Sequence, residues 1–236
     1  MEKLTENQIV ELYKFTRNHY VYFYDVQSEL VDHLANDIES AWVENPQLSF
    51  DNARDKSFKK FGIFGFMDVI EAKQKQMNKR YWKIILRFAK EWFTLPKVVT
   101  TTLIFLSIFF FLKIQFSEYI LLGAFFIFVV FDLINQFRNR KTQKQKRQKK
   151  EKIFLLESMI GDTKGGFTGI TLINTFNFIN FSHVNFSALE IHWSIVVSLI
   201  ATLLVVLYYV INYIIPQRAE ELLTETYPEY KLVNNL

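Results

Sequence analysis

The alternation of hydrophobic and polar residues changes character near residue 95. Before that point apolar residues recur at helical spacing among polar neighbours. Beyond it they gather into stretches on the scale of a bilayer, which ~20 apolar residues can span. In the first part Thr5 and Gln8 have the form of a capping box, which predicts a helix to about His19 with Ile9, Leu12 and Tyr13 on one face. Val26, Leu30, Leu34, Ile38 and Trp42 recur every fourth residue and predict a second helix, ending before "ENPQLS". Ser49 is placed to cap a third, with Phe50, Ala53, Phe58 and Phe61 inward and Gly62 stopping it. A fourth begins near Phe66, and neither Pro nor Gly interrupts it from there to Phe93.

In the second part four stretches are candidate spans: residues 98–117, 119–137, 165–189 and 191–215. The first holds one charge, Lys113, near its end, where it can snorkel; the second holds only Asp132. The other two contain no Lys, Arg, Asp or Glu. A soluble core helix is an adequate reading of any one of them, but not of four in succession. The expected fold is all-α: a small helical domain followed by a four-helix transmembrane bundle.

Charge sets the expected orientation. Residues 138–152, "RNRKTQKQKRQKKEK", carry nine Lys or Arg and a single acid, Glu151, within a chain whose formal charge is only +4. Outside this run the chain is net negative, so the basicity is local. The expected short outer loops, roughly residues 114–118 and 182–190, lack Lys and Arg, with Lys113 at the rim of the first, whereas the run lies between the second and third spans. The positive-inside bias therefore predicts both termini in the cytoplasm of an inner-membrane protein. The run also lacks interleaved aromatics for stacking bases, so nucleic acid is not an expected partner. The polar first residues hold no secretory signal, and insertion is expected to use the internal spans. With no cysteine, disulfides, thiol catalysis and Cys-type zinc sites are excluded.

The corresponding division is a cytosolic helical domain (residues 1–78), an amphipathic juxtamembrane helix (79–95), a four-span region (96–215) with a basic cytosolic loop (138–152), and a cytosolic tail (216–236). In the juxtamembrane segment Lys79, Lys83, Arg87 and Lys90 share one side, with Tyr81, Ile84, Ile85, Phe88 and Trp92 elsewhere around the helix. That suits a helix lying in the membrane interface and, equally, a stalk packed on the domain. Lys83, Arg87, Lys90, Arg138, Arg140, Lys141, Lys144, Lys146 and Arg147 are the expected contacts for anionic lipid headgroups.

"YDVQSELVDHLANDIESAW" followed by "LSFDNARDKSFKKFG" resembles the small all-α HAAS-type domain of bacterial membrane proteins. The shared pattern is an E-L-x-x-H/Y helix, a turn, and an S-x-x-x-A helix closing on (L/F)-G, over roughly residues 8–75. This chain has Phe61 where Leu is usual, and "IFGF" in place of a Pro-containing turn. Such domains precede transmembrane helices, and genes for many of them lie beside PadR-type transcription regulators. The resemblance implies a cytosolic interaction or signalling module on a membrane anchor.

Candidate chemistry is sparse. Asp25, Glu29, His33 and Asp37 form a line of four-residue steps on the second helix, suited to a partner contact or a divalent metal; an exposed acidic face is the plainer reading. Asp132 in a span, and Asn174 and Asn177 on a polar stripe with Thr171, are candidates for an intramembrane polar path. Ser194, Ser198 and Thr202 repeat every four residues, a pattern that usually joins helices. His183, Glu190 and His192 lack the HExxH spacing of a zinc site, and "GDTKGG" lacks the order of a phosphate loop. No enzyme, cofactor or metal is expected. The expected function is regulation or scaffolding in membrane signalling, with lipid headgroups, a cytosolic protein and a second copy of the chain as partners. The alternative is a small transporter or channel subunit that uses the polar faces of its spans.

Overall fold

The computed structural model describes residues 3–149, 151–163 and 184–234. The protein is all-helical, and among the described residues there is no β-strand, only an isolated parallel bridge between Phe23 and Ile153. Contacts divide the chain into two compact units: Met1–Arg80 with Lys146–Leu156, and Tyr81–Gln145 with Glu157–Leu236.

In the first unit local signals set each helix. α1 (Glu6–Asn18) starts at the Thr5 capping box, in which the Gln8 N–H donates to Thr5 Oγ1 and the Thr5 N–H donates to Gln8 Oε1. α2 (Tyr24–Glu44) buries Val26, Leu30, Leu34, Ile38 and Trp42, and the Trp42 indole N–H donates to the Leu48 carbonyl at 2.9 Å. α3 (Phe50–Lys59) is capped by Ser49, and Gly62 ends the turn after it at φ +76°, a region that costs other residues. Of its four expected inward residues only Ala53 is fully buried; Phe50, Phe58 and Phe61 are half-buried. α1 and α3 pack on α2. Phe15, His19, Phe58 and Phe66 form a ring cluster with centroids 4.3–6.2 Å apart.

α4 (Met67–Trp92) runs without a break through the expected juxtamembrane helix, because nothing in its sequence stops it. In the second unit its last turns bury Tyr81, Ile84, Ile85 and Phe88. The expected C-terminal tail is folded there: α9 (Ala219–Thr226) buries Leu222 and Leu223, and α10 (Tyr230–Asn234) follows it. Arg87 meets Glu225 at 3.3 Å, and the Arg218 guanidinium lies over the Phe88 ring.

α5 (Leu95–Leu112) packs against α8 (Ile191–Tyr209), and α8 continues through a π-helical turn, Val210–Ile214, to Gln217. The pair is antiparallel. Lys113, just past the end of α5, donates to the Leu189 carbonyl at 2.7 Å, whereas Trp92, just before α5, meets the Tyr209 ring at a tilt with centroids 5.1 Å apart. Ser194, Ser198, Thr202 and Val206 form the buried line of α8. Their small size permits close helix approach, and the three hydroxyls donate to carbonyls four residues back.

Among the described residues two helices are long and apolar enough to cross a membrane, Ser117–Lys146 and Ile191–Gln217, and α4 with α5 makes a third if the two are one broken span. At 1.5 Å per residue the two helices, of 30 and 27 residues, exceed a hydrocarbon core of about 30 Å. The basic run departs from expectation: α6 (Ser117–Gln148) stays helical through most of it. Lys, Arg and Gln are good helix formers, and no Gly or Pro occurs between Gly123 and Gly161. The fall in hydrophobicity thus marks the end of the apolar surface, not the end of the helix. Of the expected third span, residues 165–183 lie outside the described residues, and in the remainder Phe186–Ala188 forms a short 3-10 turn.

Candidate functional site

Beyond α6 the chain docks into the first unit. Residues 152–154 are outside any helix, with Ile153 bridged to Phe23, and Ile153, Phe154, Leu155 and Leu156 are all buried, Phe154 and Leu156 completely. Four successive buried residues follow no helical period, since the segment is enclosed on several sides. It is held at the start of α2. The Tyr24 N–H donates to the Ile153 carbonyl at 2.8 Å, and Asp25 Oδ1 accepts from the Leu155 N–H at 3.0 Å. That second bond satisfies an amide in the first turn of α7 (Leu155–Thr163), where no helical carbonyl is within reach. Side chains close the clasp: the Tyr24 and Phe154 rings meet edge to face at 5.4 Å, and Lys152 Nζ lies 5.2 Å over the Tyr24 ring.

A cavity of about 510 Å3 opens beside the clasp, lined by Tyr13, Lys14, Arg17, Tyr24, Gln27 and Lys152 among others. Tyr13 and Tyr24 are parallel at 6.2 Å, and the Tyr13 hydroxyl bonds Ser28 at 3.2 Å. The Gln27 amide donates to the Val21 carbonyl at 2.7 Å. These bonds fix the wall of the cavity.

The acidic line on α2 is engaged inside the unit. Asp25 holds the clasp, Glu29 pairs with Lys73 of α4 at 2.6 Å, and Asp37 pairs with Lys60 at 3.1 Å while accepting from Ser57 at 2.9 Å. His33 remains exposed beside a smaller cavity of about 210 Å3 shared with Glu29, Asp37 and Lys60. Among the described residues no three His, Asp or Glu side chains come together as a metal site.

Within the second unit Asp132 is buried, 3 % exposed, and interacts electrostatically with Tyr208 of α8, whose ring meets Phe128 at 5.2 Å. His192 lies 3.2 Å from Glu190, and both are exposed. Asn174, Asn177 and His183 fall outside the described residues. Of the expected headgroup contacts, Lys83, Lys90, Arg138, Arg140, Lys141 and Lys144 are exposed and Lys146 is half-buried. Arg87 is exposed but tied to Glu225, and the Arg147 side chain is outside the described residues.

Sequence reasoning missed the clasp and the cavity beside it. The available signal was "IFLL", four apolar residues in succession directly after a charged run, a pattern suited to burial on all sides. No protein-family model, curated protein or solved structure matches the chain.

Proposed function

We propose that the chain is a multi-pass protein of the bacterial inner membrane, with both termini in the cytoplasm. Its N-terminal helical unit serves as a regulatory or scaffolding module that binds a cytosolic protein. The observation that carries this reading is the clasp. The segment directly following the long helix α6 is held by that unit through two hydrogen bonds and four buried side chains. A partner that loosens or tightens the clasp thereby acts on the chain that continues from α6. Further support comes from the concentration of positive charge after the apolar part of α6, and from the resemblance of residues 8–75 to the HAAS-type domain. The test is affinity capture with the full-length protein in neutral detergent, comparing wild type with Asp25→Ala, alongside compartment reporters fused after Lys141 and after Leu189. A specific partner whose recovery changes with Asp25→Ala supports the reading. An external signal at Lys141, or no specific partner, removes it.

A second reading, a small transporter or channel subunit, is favoured by the buried Asp132, which interacts electrostatically with Tyr208. An acid inside a span is expensive unless it is partnered or used. Flux in proteoliposomes that disappears with Asp132→Asn would place this reading first.

A further inference from the structure

One face of α1 carries two of the cations that line the cavity, Lys14 and Arg17. Val10, Tyr13, Lys14, Arg17 and Asn18 follow helical steps of three and four and form one wall of the cavity beside the clasp. Leu12 and Thr16, on the opposite side of α1, are the residues buried in the core. Tyr24 and Gln27 come from the start of α2, and Lys152 comes from the clasp itself. The lining thus carries three cations, two tyrosines and no carboxylate. Lys152 is directed by its position over the Tyr24 ring, and its neighbour Ile153 is fixed by the Tyr24 N–H.

We propose that this cavity binds a phosphate group, carried either by an anionic lipid headgroup or by a soluble phosphoester, and that the bound group holds the clasp shut. Arg17 supplies a planar fork of donors that matches phosphate oxygens, and Lys14 and Lys152 supply compact charges. The tyrosines give apolar walls for the organic part of the ligand. A volume of about 510 Å3 is in the range of small-molecule sites. Because Lys14 and Arg17 belong to α1 and Lys152 to the clasp, one anion among them joins two distant segments of the chain. The coupling half of this proposal rests on the clasp as the regulatory element; the binding half does not.

The experiment uses full-length protein. Inorganic pyrophosphate is titrated calorimetrically against protein in a neutral maltoside detergent. In parallel, protein with a photo-crosslinking residue in place of Val10 is placed in phosphatidylcholine nanodiscs with and without phosphatidic acid. Hydrogen exchange at Ile153–Leu156 is followed in both arms. The double substitution Lys14→Gln with Arg17→Gln is expected to weaken binding at least tenfold, and Arg17→Lys to weaken it less, with helicity by circular dichroism unchanged. Bound ligand is expected to slow exchange at the clasp several-fold. Calorimetric binding identifies a soluble source, and photo-adducts on phosphatidic acid without pyrophosphate binding identify a headgroup. If neither probe binds, or if the double variant binds as wild type does, the site is refuted. Charge-dependent binding that leaves clasp exchange unmoved keeps the site and refutes the coupling.

Discussion

Asp25 accepts a hydrogen bond at 3.0 Å from the N–H of Leu155, a residue 130 positions further along the chain. The carboxylate belongs to the first turn of α2 and the amide to the first turn of α7, so one side chain connects the starts of two helices. Hydrogen bonds to charged groups contribute roughly 1.5–3 kcal/mol, and half-burial of Asp25 reduces this to about 1 kcal/mol. Asp25→Ala is expected to raise exchange of the Leu155 amide about fivefold, the equivalent of that energy. Asp25→Asn, which keeps the acceptor oxygen, should recover part of the protection. Equal exchange in wild type and Asp25→Ala would show that the bond contributes nothing in solution.

Phe154 is fully buried and Ile63 fully exposed, although each sits in an apolar run of the sequence. Phe154→Ala removes a ring from a packed site, a change that costs roughly 3–5 kcal/mol where the surroundings cannot collapse. Ile63→Ser should stay within about 0.5 kcal/mol. Thermal unfolding midpoints in one detergent check the ordering, and a similar fall for both would contradict the burial of Phe154.

The two glycines of the turn before α4 differ in surroundings. Gly62 has φ +76° and open space where a Cβ would stand. Gly65 has φ +56°, and its Cβ would lie 2.9 Å from Phe58 Cζ, in a ring that also touches Phe15, His19 and Phe66. Gly62→Ala is expected to cost about 1 kcal/mol from backbone conformation alone. Gly65→Ala should cost at least about 2 kcal/mol, because the Phe58 ring must also move. Chemical denaturation of both variants gives the comparison.

The antiparallel pairing of α5 and α8 can be read by cross-linking, since the chain has no cysteine of its own. Lys113→Cys with Leu189→Cys should be bridged by a short bis-maleimide. Lys113→Cys with Tyr209→Cys should not, being separated by the length of α8, ~28 Å at 1.5 Å per residue. Bridging of the second pair and not the first would reverse the helix orientation.

Much of the helical pattern was legible because its causes are local. The Thr5–Gln8 box, the Ser49 cap, Gly62 and the line from Val26 to Trp42 each act within a few residues. What escaped depends on distant partners. Glu29 and Asp37 look like a solvent face until Lys73 and Lys60 are brought to them from other parts of the fold. Ile153–Leu156 is a short apolar run whose burial on several sides depends on the first unit around it. Asp132 lies close in sequence to the basic run, where solvation is the simple expectation, yet the fold buries it. The helical course of the basic run was the exception, since composition alone favoured it; the change in polarity was mistaken for an end.

The π-helical turn Val210–Ile214 has a consequence for angular phase. There the Ile215 N–H reaches back five residues to the Val210 carbonyl, so the helix holds one residue more than an α-helix would over the same rise. Each α-helical residue advances about 100°, and the extra one offsets everything after it by that angle. The offset sets the direction of Arg218 toward Glu91 and Phe88, and of Glu225 toward Arg87, relative to the line from Ser194 to Val206. Deleting a single residue between Val210 and Ile214 would leave composition and hydrophobicity nearly unchanged. It would nevertheless rotate the entire C-terminal segment away from its contacts on α4, which makes the chain far more sensitive to length than to identity at this point.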